Sequence, residues 1–132
     1  YTEENTLSLH DALPICLHEL KAKGFAVLFF TGNTRNDADE LAASLGIEWK
    51  LAKNAADKRS LALELNPETC ASIGNGLIDL ELMQVVKLRI VTLQAEGVHV
   101  QTMLSSDIVV PTINDALDLF IDEQRLVATL RK

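Results

Sequence analysis

Three short polar stretches combine side chains suited to holding a phosphate. Thr31-Gly32-Asn33 directly follows the apolar run at 25–30 (FAVLFF), and residues 53–58 carry two ammonium groups, Lys53 and Lys58. Gly74-Asn75-Gly76-Leu77-Ile78-Asp79 sets a carboxylate four residues beyond an amide flanked by glycines. A hydroxyl, an ammonium and a carboxylate able to hold a hard divalent cation suit phosphoryl transfer. Its transition state spreads charge over three oxygens and needs positioning and neutralisation more than covalent help. Each stretch taken alone also has a plain structural explanation. TGN can be a strand-to-helix turn, Lys58 a solvated residue of a first helical turn, and GNG a tight loop using glycine's access to positive φ.

Whether the three can meet depends on the elements between them. In an open parallel sheet the loops after the strands converge on one edge, so binding groups belong just after apolar runs. Leu17, Leu20 and Lys23-Gly24 predict a short helix with its stop, and the unbroken run at 25–30 predicts an inner strand covered on both faces. Thr34 with Asp37 predicts a cap for a helix over 34–45, with Leu41, Ala42 and Leu45 on its apolar face and Gly46 as its stop. A strand at 47–51 follows, then a helix opened by Asn54 and Asp57 and ended by Pro67. Strands at 69–73, 89–93 and 107–110 alternate with a helix over 77–86 and a short one around 97–104. Thr112 with Asp115 caps a helix bearing Ile113, Ala116, Leu117, Phe120 and Ile121 on one face, and a last helical turn or two uses Leu126, Val127 and Leu130. The alternation predicts an α/β fold: a mostly parallel, three-layer, Rossmann-like sheet flanked by helices.

In this order and after these strands, the polar stretches resemble the haloacid dehalogenase (HAD) superfamily, and most closely its soluble branch related to P-type ATPases. Thr31 matches the Thr or Ser that ends a strand as the second motif. Lys58 matches the third-motif lysine, with Lys53 as runner-up. Gly74, Asn75, Gly76 and Asp79 match a fourth-motif loop of the GNGxND type, with Ile78 where many relatives have Asn. The ending SSDIVVPTINDALDLF and RLVATLR looks like the last strand and helices of that branch, and the resemblance covers 16–132. It implies catalytic roles for Thr31 and Lys58, a phosphate held by Thr31, Gly32, Asn33 and Lys58, Mg²⁺ on Asp79 with Asn75 as a neutral helper, and a small phosphorylated substrate.

The same resemblance demands a nucleophilic aspartate in a DxxGT-like setting at the end of a central first strand, and none matches. The opening YTEENTLSLHDALPI instead resembles translated sequencing-adapter read-through, so residues 1–15 are read as a non-native segment and 16–132 as an incomplete HAD-like core. A competing reading makes residues 7–15 a divergent first strand with Asp11 as nucleophile. The expectation is a Mg²⁺-dependent phosphohydrolase domain, inactive as written. A non-catalytic phosphate- or metal-binding domain, receiver-like or flavodoxin-like, is the alternative.

Composition narrows the partners. A formal charge of −7 and the absence of a basic cluster argue against nucleic acid or anionic lipid. No apolar run is long enough to cross a bilayer, and no signal-peptide pattern opens the chain, so the cytoplasm is the expected place. Cys16 and Cys70 lack ligand spacing and read as two reduced thiols. His18 and His99 read as ordinary surface or boundary histidines, and Trp49 as a packing anchor.

Overall fold

The structure, a computed structural model, describes residues 13–34, 36–93 and 97–130, and from residue 15 onward the side chains in that range. The segment at 1–12, with Asp11 and most of the adapter-like opening, lies outside the described residues. The element order is α1 (Leu13–Ala22), β1 (Leu28–Thr31), α2 (Ala38–Leu45), β2 (Glu48–Leu51), α3 (Ala55–Glu64), β3 (Ala71–Gly74), α4 (Leu80–Met83), β4 (Leu88–Thr92), α5 (Val100–Leu104), β5 (Ile108–Val110), α6 (Ile113–Ile121) and α7 (Glu123–Leu130). Single 3₁₀ turns at Pro67–Thr69 and Leu77–Asp79 lead into β3 and α4.

Every described strand pairing is parallel. β1 pairs with β2, and β3, β4 and β5 pair in that order. Among the described residues the strands therefore form two sheets, and no described strand joins β1 to β3. A cavity of about 670 Å³ is lined by Leu28 and Phe30 of β1, Ser72 and Ile73 of β3, and by Lys58 and Asp79.

Helices cover both faces because side chains alternate along each strand. On one side Leu17 and Leu20 of α1, Leu45 of α2, and Ile113 and Leu117 of α6 form a buried cluster against Val27 and Ile73. On the other, Ala62 of α3, Leu82 of α4 and Val86 pack against Phe30 and Cys70. Ile90 and Ile108 meet Ala116 and Leu119 of α6 in a third cluster. Burying a side chain such as Ile90 contributes roughly 1.5–3 kcal/mol, so these clusters hold the layers together.

Local chemistry explains the boundaries. The cap of α6 forms as its residues predict: Thr112 Oγ1 accepts from Asp115 N at 3.2 Å, and Asp115 Oδ2 accepts from Thr112 N at 3.2 Å. Asn54 Oδ1 likewise accepts from Asp57 N at 2.8 Å, opening α3. The helix expected over 34–45 starts later, at Ala38, and the Thr34 cap is not made. Asn33 and Asn36 take positive φ of 55° and 57° instead, and Asn33 Oδ1 accepts from Ala38 N at 2.9 Å. Asparagine tolerates that region better than most residues, so a wide turn replaces the first helical turn. The strand expected over 25–30 is likewise shifted to Leu28–Thr31.

Arg89 and Asp107 join the starts of β4 and β5. The guanidinium donates from Nε and Nη2 at 3.1 and 3.0 Å, and Arg89 N adds a third bond to the same carboxylate at 3.0 Å. The Arg89 side-chain bonds hold the Asp107 carboxyl below its ordinary value against the opposing effect of burial. A carboxyl depressed on folding stabilises above its unfolded value, and that contribution is lost as pH falls through the folded value. Asp107→Asn should therefore lower Tm at neutral pH, and the gap to wild type should close as pH drops below about 4, where an unperturbed Asp protonates. Thermal melts from pH 2 to 7 would show it, and a gap independent of pH would refute it.

Candidate active site

Thr31 ends β1 and Gly74 ends β3, each at the carboxyl edge of its own parallel sheet. Thr31 Oγ1 accepts from Asn33 N at 3.1 Å, and its carbonyl accepts from Ala52 N at 2.8 Å, tying the loop after β1 to the loop after β2. Gly32 is half-buried beside Ala52 O, and Asn33 uses its side chain as the cap of α2.

The second and third stretches meet directly. Lys58 Nζ lies 2.8 Å from Asp79 Oδ1, and the two side chains are 10% and 7% exposed, so this is a buried ion pair. Asp79 Oδ2 accepts from Asn75 N and Gly76 N, both at 3.1 Å. Burial pushes the Asp79 carboxyl up, yet the group lies below the usual carboxylate range, the Lys58 ammonium and the Gly76 N–H being among the groups that lower it. Of the two candidate lysines, Lys58 is the one that reaches the acid. Lys53 is exposed, and its backbone N donates to Asp57 Oδ2 at 2.9 Å.

The carboxylate also explains two features that the sequence left open. The helix expected over 77–86 breaks into a 3₁₀ turn and a short α4, because Asp79 folds back over its own loop instead of facing away from it. The glycines of GNG are not at positive φ; the described positive-φ glycines are Gly24, Gly46 and Gly97. Gly74 is needed for close approach, since a Cβ there would overlap the Asp79 carboxylate. Gly76 has more room, with Ile78 Cγ2 at 3.7 Å as the nearest atom to an added Cβ.

The start of α5 adds residues that the sequence reading passed over as ordinary. His99 N donates to Asn75 O at 2.8 Å, and Asn75 Nδ2 donates to Gly97 O at 3.0 Å. Thr102, fully buried, donates its hydroxyl to Gly76 O at 2.9 Å. A Thr three residues after a His is an available cap signal, but the partner loop is more than twenty positions away and leaves no trace in spacing.

Among the described residues no group of three or more His, Cys, Asp and Glu side chains could hold a metal ion. Asp79 supplies one buried carboxylate, already facing a cation in Lys58. That is the donor chemistry a hard divalent ion takes, because Mg²⁺ keeps most of its waters and uses one or two carboxylates. Asp79 thus fits part of such a site.

No family model matches the chain. A curated relative is the uncharacterized protein MJ0073 of Methanocaldococcus jannaschii, 42% identical over 92 residues, spanning 70% of this chain and 88% of the relative. Three solved structures share the fold. 3-Deoxy-D-manno-octulosonate 8-phosphate phosphatase from Moraxella catarrhalis, in complex with magnesium, phosphate and KDO, aligns with TM-score 0.69 and 22% identity over 89% of this chain and 75% of that one. A Streptomyces avermitilis protein assigned to the HAD family of hydrolases gives 0.67 and 18% over 84% and 66%. The catalytic domain of the CPx-ATPase CopB-B gives 0.66 and 22% over 80% and 43%. The chain thus spans less than two thirds of the last two. Among the described residues no helix is long and apolar enough to cross a membrane.

Two predictions follow from the packing of the acid. Gly74→Ala should destabilise by about 1–3 kcal/mol through overpacking, whereas Gly76→Ala should cost under about 1 kcal/mol. Urea unfolding of both variants measures this, and equal losses would refute the close-approach account. Lys58→Met should cost about 3 kcal/mol or more, because it leaves a buried carboxylate without its cation, and Lys58→Met with Asp79→Asn should recover part of that. If the double variant is less stable than Lys58→Met alone, the pair is not coupled as described.

Proposed function

The chain belongs to the family of the Methanocaldococcus jannaschii protein MJ0073 and has a haloacid dehalogenase-like fold, and from this we propose that it is a phosphohydrolase domain of the soluble P-type-ATPase-like branch, Mg²⁺-dependent and acting on a small phosphorylated substrate. The observation that carries the reading is the buried Lys58–Asp79 pair beside the end of β3. The proposed place of action is the cytoplasm.

Thr31 donates its hydroxyl to a phosphoryl oxygen, and the N–H groups around Gly32 and Asn33 approach the same group. Lys58 balances its charge. Asp79 holds the metal, assisted by Asn75. Mg²⁺, when bound, neutralises phosphoryl charge and orients the phosphate. The reaction itself needs an aspartate that accepts the phosphoryl group as an aspartyl-phosphate and is then released by water. Residues 16–132 offer no such aspartate, and its proposed place is a strand between β1 and β3. The chain as written is then a binder of phosphate and metal that does not turn over.

The test replaces residues 1–15 by an apolar strand ending in a DxxGT-type sequence. This protein should release phosphate from an aryl phosphate in Mg²⁺, and Asp79→Ala or removal of the metal by a chelator should each lower the rate by 100-fold or more, about 3 kcal/mol of lost charge stabilisation. The unmodified chain should bind Mg²⁺ weakly and show no turnover. If the restored protein binds Mg²⁺ and phosphate yet hydrolyses nothing, the non-catalytic binding domain is the correct reading; if it binds neither, both readings fail.

A further inference from the structure

The backbone of Asn75 and Gly76 is held through all four of its polar groups. Both N–H groups donate to Asp79 Oδ2 at 3.1 Å. The Asn75 carbonyl accepts from His99 N at 2.8 Å, and the Gly76 carbonyl accepts from Thr102 Oγ1 at 2.9 Å as well as from Asp79 N of its own turn at 3.1 Å. The contacts on the α5 side are themselves braced: Thr102 N donates to His99 Nδ1 at 3.4 Å, and Asn75 Nδ2 donates to Gly97 O at 3.0 Å.

Thr102 is an unusual way to dock a helix. Val100 and Leu104 of α5 are 62% and 72% exposed, while Thr102 is 0% exposed. With Met103 half-buried, a short helix that leaves two of its three large apolar residues in water and fully buries a hydroxyl is not seated by hydrophobic burial alone. The hydroxyl, fully buried, finds a specific acceptor in Gly76 O, and a buried hydroxyl without a partner is costly. The bonding of α5 is therefore directed at the acidic loop.

We propose that Thr102 is a positioning residue for the candidate site, with the His99 backbone as its second arm: together they set the place of Asn75 and Gly76, and through those N–H groups the orientation of the Asp79 carboxylate toward Lys58. The geometric part stands on the hydrogen bonds alone; its consequence for metal binding rests on the function proposed above. The cavity between β1 and β3 and the cleft beside Gly97 belong to the same site and add nothing independent.

Amide hydrogen exchange on the full chain tests the geometric part without any ligand. Thr102→Val, which keeps the shape and removes the donor, should speed exchange at the Asn75 and Gly76 amides about tenfold, the scale of one net hydrogen bond, while the β4 amides of Ile90 and Val91 stay within about twofold. Thr102→Ser should restore protection. A merely structural role would move the β4 amides as far as the loop amides, and that result, or unchanged loop exchange in Thr102→Val, would overturn the proposal. Calorimetric titration with Mg²⁺ separates the two readings. Weaker binding by Thr102→Val, rescued by Thr102→Ser, extends the positioning role to the metal. If the wild-type chain takes up no Mg²⁺ while the loop-specific exchange persists, the proposed function falls and the positioning role stands.

Discussion

A buried carboxylate has to be answered by donors on every side, and that requirement organises this end of the molecule. Asp79 has Lys58 on one oxygen and two backbone N–H groups on the other. To receive them it must turn back over the loop that precedes it, which forbids a side chain at position 74 and interrupts the helix that would otherwise begin there. Taking two charges from water costs several kcal/mol each, and only close, well-directed partners return it. The loop after β3, the first turn of α3 and the start of α5 have therefore to be in place together.

The fold supplies that simultaneity through parallel strands. Within each sheet the strands run parallel because a helical crossover follows each one, so the loops after them gather at that sheet's carboxyl edge. The apolar clusters on the two faces fix the helices, and the polar loops are left to be arranged by hydrogen bonds. The described sheets remain separate at β1 and β3.

Much of this was legible from residue types. The run FAVLFF, the caps at Asn54 and Thr112 and the glycine at 46 announce their elements because each depends on contacts within a few residues. Lys58 and Asp79 were legible as a pair only through the resemblance, since their contact spans 21 positions. The turn at 33–36 was misread for a physical reason: Thr34 with Asp37 offers one cap and Asn33 offers another, and the asparagines' tolerance of positive φ decided between them. His99 and Thr102 were passed over because a buried hydroxyl and a peptide N–H that serve a distant loop look in sequence like any other short helix. The glycines of GNG were noticed for the wrong property, conformational freedom instead of absent volume.

The charges at the pair also bear on how such a site would work. Lys58 and Asp79 together are neutral, so a phosphate carrying up to two negative charges meets little net attraction while they remain paired. A divalent cation, if Asp79 held one, would bring the local charge to +2 with Lys58 included, and the Lys58 ammonium could then answer phosphoryl oxygens instead of the carboxylate. On the proposed reading the ion pair is thus the resting arrangement, in which each group satisfies the other's burial until metal and phosphate arrive together. Binding of the two should then be cooperative, because each alone must open a buried pair that both together replace.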